Sequence, residues 1–276
     1  MKPYKDIGLL GDPSEFNGAI GKLIRAHYQL EDLKDRLREF VESRAYRIVE
    51  DFNLRPGKDV GDYSFTISDV SIPNREWGVL IGEFVHNLRS GLDHAVYAAA
   101  AKPSHDTEFP IFKKRERWDK YSSAPLYSVP EKARAIIEQA QPYHRTTDPS
   151  LHDLAILHAM WNHDKHRLVH ATALVMGDPG PPIRAISGVE EIVKVSYFER
   201  PLEDGVKIAN VVLRPTPGLQ PKLEMEGYLP MGVAFAEGID GCKSLKGLHV
   251  LGVLQDAYET AWRLIGYIEA ATKVRA

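Results

Sequence analysis

The sequence predicts an α+β fold: a helical bundle of about four long helices, an N-terminal β-hairpin and an inserted antiparallel β-sheet. Three observations lead there. Apolar residues recur at spacings of three and four over long stretches, the period of a helix that buries one face. Two other regions alternate with period two, or gather Val and Ile between prolines, as short strands do. Asp-Pro pairs and Gly/Pro runs punctuate the boundaries between them.

The first helix is expected over 12–44. Asp12, Pro13 and Glu15 read as an N-cap, an N1 proline and a capping-box acid, which satisfy or remove the free amides of a first turn. Phe16, Ala19, Leu23, Ala26, Leu30, Leu33, Leu37 and Phe40 then form a heptad seam. Such a seam must be covered by another helix of the chain or by a second subunit, and cover from within is preferred. A β-hairpin over 46–70 follows, from Arg47-Ile48-Val49-Glu50-Asp51-Phe52 through a turn with Pro56 and Gly57 to Tyr63-Ser64-Phe65-Thr66-Ile67. A second long helix spans 74–102 and stops before Pro103, which restricts the residue ahead of it and has no N–H to donate. A shorter helix occupies about 131–141. The third long helix, 148–177, opens at Asp148-Pro149 and ends in the Gly/Pro run after Met176. A β-rich insertion over 183–236 is broken by Pro201, Pro215, Pro217, Pro221 and Pro230, and a final helix covers 244–273. All of this is expected to form a single domain, 1–276.

With 276 residues, 43% hydrophobic and 26% charged, the chain can bury a sizeable core without metal or disulfide staples. Cys242 is the single cysteine and has no internal partner, which fits a reducing compartment. No apolar run of signal-peptide or membrane-spanning length is evident, so a cytoplasmic protein without a membrane partner is expected. A net charge of −3 excludes a protein that coats nucleic acid through bulk charge, since that mode needs many phosphate-neutralising cations. A local basic site remains open. Lys113, Lys114, Arg115, Arg117 and Lys120, diluted by Glu116 and Asp119, read as a solvated helix face.

The second and third long helices carry unusual polar residues. On the second, His86, Asn87, Arg89, Ser90, Asp93 and His94 fall within an arc of roughly 160°. A merely solvated face favours Lys and Glu, which cost little in a helix, whereas these groups bind, donate and titrate. On the third helix His158, Asn162, Lys165 and His166 lie within about 100° of one another. Facing helices can converge such clusters into one pocket. Taken singly, His86 and His158 read as members of structural hydrogen-bond networks. His152, His163 and His170 fall on another side and read as surface.

Arg89-Ser90-Gly91-Leu92-Asp93-His94 resembles the Arg-x4-His motif of HEPN-domain ribonucleases. The resemblance implies a metal-independent endoribonuclease without cofactor, acting on RNA as a homodimer, in the role of a toxin or defence factor. His94 would be the acid/base, Arg89 would stabilise charge on the phosphorane-like transition state, and His86 or Asn87 would orient the phosphate. Ser90 and the β-rich insertion depart from that pattern. The order His86-Asn87-Leu88-Arg89-Ser90-Gly91-Leu92-Asp93-His94, Phe109-Pro110-Ile111-Phe112, Asn162 and Asp164-Lys165-His166-Arg167 also resembles a group of uncharacterised bacterial proteins. Two other readings stand beside the ribonuclease. A metal-dependent bundle enzyme similar to the DinB-like proteins would need His94, His166 and either His158 or Asp93. The pairs His86/His94 and His158/His166 are each about 12 Å apart along their helices, too far to share one ion. The third reading is a non-catalytic dimeric interaction protein built on the heptad seam.

Overall fold

Helix and strand periods divide the chain between them, and a computed structural model describes residues 15–43, 46–72, 74–145, 147–175, 180–227 and 229–273. In chain order these form α1 (Asn17–Ser43), β1 (Arg47–Leu54), β2 (Gly61–Ser68), α2 (Asn74–Ala99), α3 (Arg115–Tyr121), α4 (Glu131–Gln139) and α5 (Asp153–Asp164). Then come β3 (Ala171–Val175), β4 (Ile183–Ser187), β5 (Val189–Tyr197), β6 (Arg200–Pro201), β7 (Lys207–Pro215), β8 (Lys222–Met225), β9 (Met231–Phe235) and α6 (Val250–Lys273). Asp12 and Pro13 lie outside the described residues. The seam of α1 is buried within the chain, with every residue from Phe16 to Phe40 at that spacing 6% exposed or less.

The expectation of a bundle of four long helices is corrected. Six α-helices occur among the described residues, alongside several antiparallel sheets, and the third expected long helix is short. Asp148 and Pro149 open only a 3-10 turn, Pro149–Leu151, in which the Asp148 carboxylate accepts the Ser150 N–H at 2.9 Å. His152 caps the true helix, its Nδ1 accepting the Leu154 N–H at 3.2 Å. Past Asp164 the chain leaves the helix, and Ala171–Val175 forms a strand with alternating burial. A short apolar run carries no decisive period, and the β-branched Thr172 and Val175 suit a pleated neighbour better than a helix. The last helix also starts late. Gly247 adopts φ +81°, a left-handed conformation that no helix continues through, so Lys243–Leu245 stays a separate 3-10 turn.

The chain divides into two compact units. One comprises Asp35–Asn74 and Ala171–Ala234 and holds the sheets. The expected hairpin is present, Arg47 pairing with Ser68 and Leu54 with Gly61, and it extends into a four-stranded antiparallel sheet of order β1-β2-β7-β5. Tyr63, Phe65 and Ile67 alternate into the core beside Ala209, Val211 and Leu213, the period of two that the sequence displays. A second sheet runs β6-β3-β9 and a two-stranded one pairs β4 with β8.

The other unit comprises α1 as far as Lys34, then Arg75–His170 and Phe235 onward. Its α6 packs on α4 and α5, and Thr260 donates to Asp153 at 2.8 Å between α6 and α5. Gly91 of α2 lies so close to α1 that an added Cβ would sit 3.5 Å from the Ala19 carbonyl oxygen and the Lys22 side chain, which keeps the two helices in contact. Among the described residues no helix is long and apolar enough to cross a membrane.

Candidate functional site

The polar arc of α2 is divided among different surroundings. Arg89 is only 2% exposed. Its Nη2 donates to Asp93 Oδ1 at 2.8 Å and lies 3.5 Å from Glu108 Oε2, while the guanidinium carbon sits 5.2 Å from the Trp161 ring centroid on α5. Its Nε and Nη1 are buried without a hydrogen-bond partner among the described residues. A guanidinium has five N–H donors, one on Nε and two on each terminal nitrogen, so the three on Nε and Nη1 lack an acceptor. Such groups are costly to bury, which makes this position unlike an ordinary helix face.

Asp93 ties Arg89 to a neighbouring segment, because its Oδ1 also accepts the Phe109 N–H at 2.9 Å. Burial raises the Asp93 carboxyl above the usual range, against the opposing pull of Arg89 and of that backbone N–H. A second tether holds the same segment. Gln141 is fully buried, donates to the carbonyls of Pro110 and Ile137, and accepts the Phe112 N–H at 2.8 Å. Every polar atom of that amide is used. Residues 109–112 are thereby held rigidly, and the chain emerges from them directly into Lys113 and Lys114.

Those two lysines, with Arg117 of α3, line a cleft of about 520 Å³ with His158 and Asn162 of α5. Lys113 Nζ donates to the Gly241 carbonyl at 2.8 Å. Gly241 has φ +88° and completes the turn closed by the paired backbone bonds of Ile239 and Cys242, a position that favours glycine. The Arg117 guanidinium stacks 4.8 Å from the Tyr121 ring centroid. On α5, Lys165 Nζ lies 3.4 Å from Asn162 Oδ1 and 3.2 Å from the Trp161 ring centroid, and the Asn162 amide nitrogen lies 3.0 Å from His158 Nε2. This chain orients Asn162 as donor to Nε2, which assigns the proton of the neutral imidazole to Nδ1. That Nδ1 is buried without a partner among the described residues. Burial first, then the charges of Arg89, Lys165 and Lys113, push His158 down to about 4. An imidazole surrounded by cations stays neutral until something anionic arrives.

The other expected site residues go elsewhere. His94 is exposed and rests against α1, where a methyl added at Gly18 would fall 2.7 Å from its Nδ1. Five helical positions separate it from Arg89, about 140° around the axis. His86 and Asn87 line an open groove of about 600 Å³ with Arg25, Gln29, Glu83 and Asp164. Asn87 accepts from Lys22 and donates to Gln29 at 2.9 Å, and Gln29 donates to Glu83 at 3.0 Å. His166 lies past the end of α5 and is exposed. The structure thus brings Arg89, His158, Asn162 and Lys165 near one another and parts them from His86, Asn87, His94 and His166.

In the sequence Lys113, Lys114 and Arg117 read as a solvated face, and Trp161 and Asp240 carry no distinguishing signal. The available signal was adjacency: a basic run directly follows Phe109-Pro110-Ile111-Phe112, a segment too apolar to be exposed. Among the described residues no three His, Cys, Asp or Glu side chains gather as a metal-ligand set. The His94, His166 and His158 or Asp93 combination of the DinB-like reading is therefore not assembled. No protein-family model matches the chain, and neither a curated protein nor a solved structure matches it.

Proposed function

We propose that the cleft beside His158 binds phosphate esters and that RNA is its ligand. One observation carries the reading: three cationic side chains line the same cleft as a neutral imidazole and an amide, and the buried charge of Arg89 reaches that imidazole. Asp240 is the one carboxylate that lines the cleft among the described residues. Phosphate oxygens complement such donors, and a bound phosphate would offset the cationic field that keeps His158 unprotonated.

The same feature supports metal-independent cleavage, with His158 in the role that the resemblance gives to His94. Once the bound ester draws the Asn162 amide away, the freed Nε2 lone pair takes the proton of the 2′-hydroxyl as that oxygen attacks phosphorus. The protonated ring returns the proton to the 5′-oxygen as the P–O5′ bond breaks, leaving a 2′,3′-cyclic phosphate and a 5′-hydroxyl. Only RNA has the attacking hydroxyl. Arg89 does not line the cleft, so it acts through its charge from behind His158; that placement favours binding without turnover as the second reading. RNA as ligand fits a cytoplasmic chain, and a homodimer, measurable by light scattering, would offer one strand two clefts.

The test is anisotropy of a labelled single-stranded RNA in EDTA, with product analysis in parallel. Affinity is expected to fall with salt at a logarithmic slope near −2, for about three phosphate contacts, and the Lys113→Glu/Lys114→Glu protein should lose more than tenfold. A 2′,3′-cyclic end that disappears in His158→Ala and persists in His94→Ala selects cleavage; tight binding without product selects the second reading. RNA affinity indifferent to salt and to the lysine pair ends both.

A further inference from the structure

The cleft is two-sided. Opposite in character to the lysines, its lining includes Ile111, Phe112, Ala155 and Ala159. Ala155 and Ala159 stand one helical turn apart on α5 and set an apolar strip beside His158 and Asn162 of the same helix face. Phe112 is half-buried, its backbone is fixed by Gln141, and its ring is braced edge-on by Trp118 at 6.4 Å and 79°. A rigid, partly open aromatic ring beside an apolar strip suits a flat group better than a flexible chain. Asp240, on the turn tethered by Lys113, adds a carboxylate that a bare phosphate would find repulsive. A ligand that brings N–H or O–H donors would bond it instead.

We infer that the cleft accommodates a whole nucleotide: its phosphate on Lys114 and Arg117, its flat ring on Phe112 and the alanine strip, and Asp240 accepting from the nucleoside. This rests on the phosphate-ester reading above and names the unit that reading recognises. A cleft of about 520 Å³ falls within the range that small-ligand sites occupy.

Calorimetric titration of the full chain with inorganic phosphate, ribose 5-phosphate and guanosine 5′-monophosphate tests it. Guanine is chosen because its ring carries N–H donors. The nucleotide should bind at least about tenfold more tightly than phosphate, the contribution of one stacked base. Phe112→Leu, which keeps the apolar filling of the core, should remove most of that gain and leave phosphate affinity alone. Asp240→Asn should act with opposite signs, tightening phosphate by removing a like charge and weakening the nucleotide by removing its acceptor. Equal affinity for phosphate and nucleotide, or an Asp240→Asn effect of one sign on both, overturns the nucleotide assignment while phosphate binding stands. Ribose 5-phosphate matching the nucleotide overturns the ring contact, and a phosphotyrosine peptide that binds more tightly than the nucleotide replaces it. If phosphate and nucleotide both fail to bind, the phosphate-ester reading falls, and the inference with it.

Discussion

Toward α1, the polar residues of α2 close upon one another: Lys22 donates to Asn87, Asn87 to Gln29, and Gln29 to Glu83, so the nearly buried Gln29 amide is engaged at both ends. Toward α5, Arg89 keeps two nitrogens and His158 one buried without an acceptor or donor among the described residues, although cations crowd the region. A satisfied network fixes the position of helices and asks for nothing more. Polar groups buried without a protein partner are met by buried water, a ligand or a reacting group. The two sides of α2 differ in residues as well as partners: Glu83 and Asn87 on one, Arg89 and Asp93 on the other, with His158 of α5 beyond them.

The comparison can be broken most decisively at Arg89. Arg89→Ala removes the cation that pairs the half-buried Asp93, an exchange expected to cost about 1.5–3 kcal/mol in urea denaturation. Asn87→Ala, in the closed network, should cost about 1 kcal/mol. Equal losses would mean that the two sides of α2 are held in the same way. Next in size is ligand affinity. Lys113→Glu with Lys114→Glu should weaken RNA more than tenfold while stability falls by about 1 kcal/mol, the Lys113 bond to the Gly241 carbonyl being lost, and His86→Ala in the other groove should leave affinity unchanged. A loss of affinity in His86→Ala would move the site to that groove.

The pH dependence of stability sharpens the contrast further, and its effect is the smallest. The fold favours neutral His158, which titrates near 4 when folded and near 6.5 in an unfolded chain. Below about 6.5 the unfolded state gains a proton that the folded state refuses, so this contribution is complete above that pH and is lost as pH falls toward 4. Other groups move in the same window, His152 lowered and Asp93 and Asp164 raised, all chiefly by burial. The informative quantity is therefore the melting temperature of wild type minus that of His158→Gln at each pH. That difference should shrink from pH 7 to pH 5, and saturating phosphate should restore part of it. A difference independent of pH would show that His158 is not held neutral.

Much of the fold is legible in the chain because its elements announce themselves locally. The α1 seam, the alternation of Tyr63, Phe65 and Ile67, and the stop of α2 ahead of Pro103 all follow from period and backbone sterics. The expected third long helix departs from the structure where these signals conflict. Asp148-Pro149 is as good an opening for a 3-10 turn as for an α-helix, and Ala171–Val175 is too short for its period to decide between helix and strand. Of the candidate site, His158, Asn162, Lys165 and Arg89 were legible by residue type alone. His94 and His166 share that type and stand apart, and the Lys113–Arg117 stretch was passed over since basic runs usually serve as solvated faces.

By itself the sequence determined which face of each long helix is apolar, where the strands alternate, and that α2 and α5 bear donors and titratable groups rather than plain surface charge. Tertiary structure decided which of those groups meet. Asp93 reaching the Phe109 N–H and Gln141 reaching Phe112 and Pro110 join separate stretches of chain, and through them lysines with no helical relation to α5 come to line the cleft of His158. The reason is physical: periodicity is a property of one element's neighbours in sequence, whereas convergence depends on the axial shift and rotation between elements, which packing alone sets.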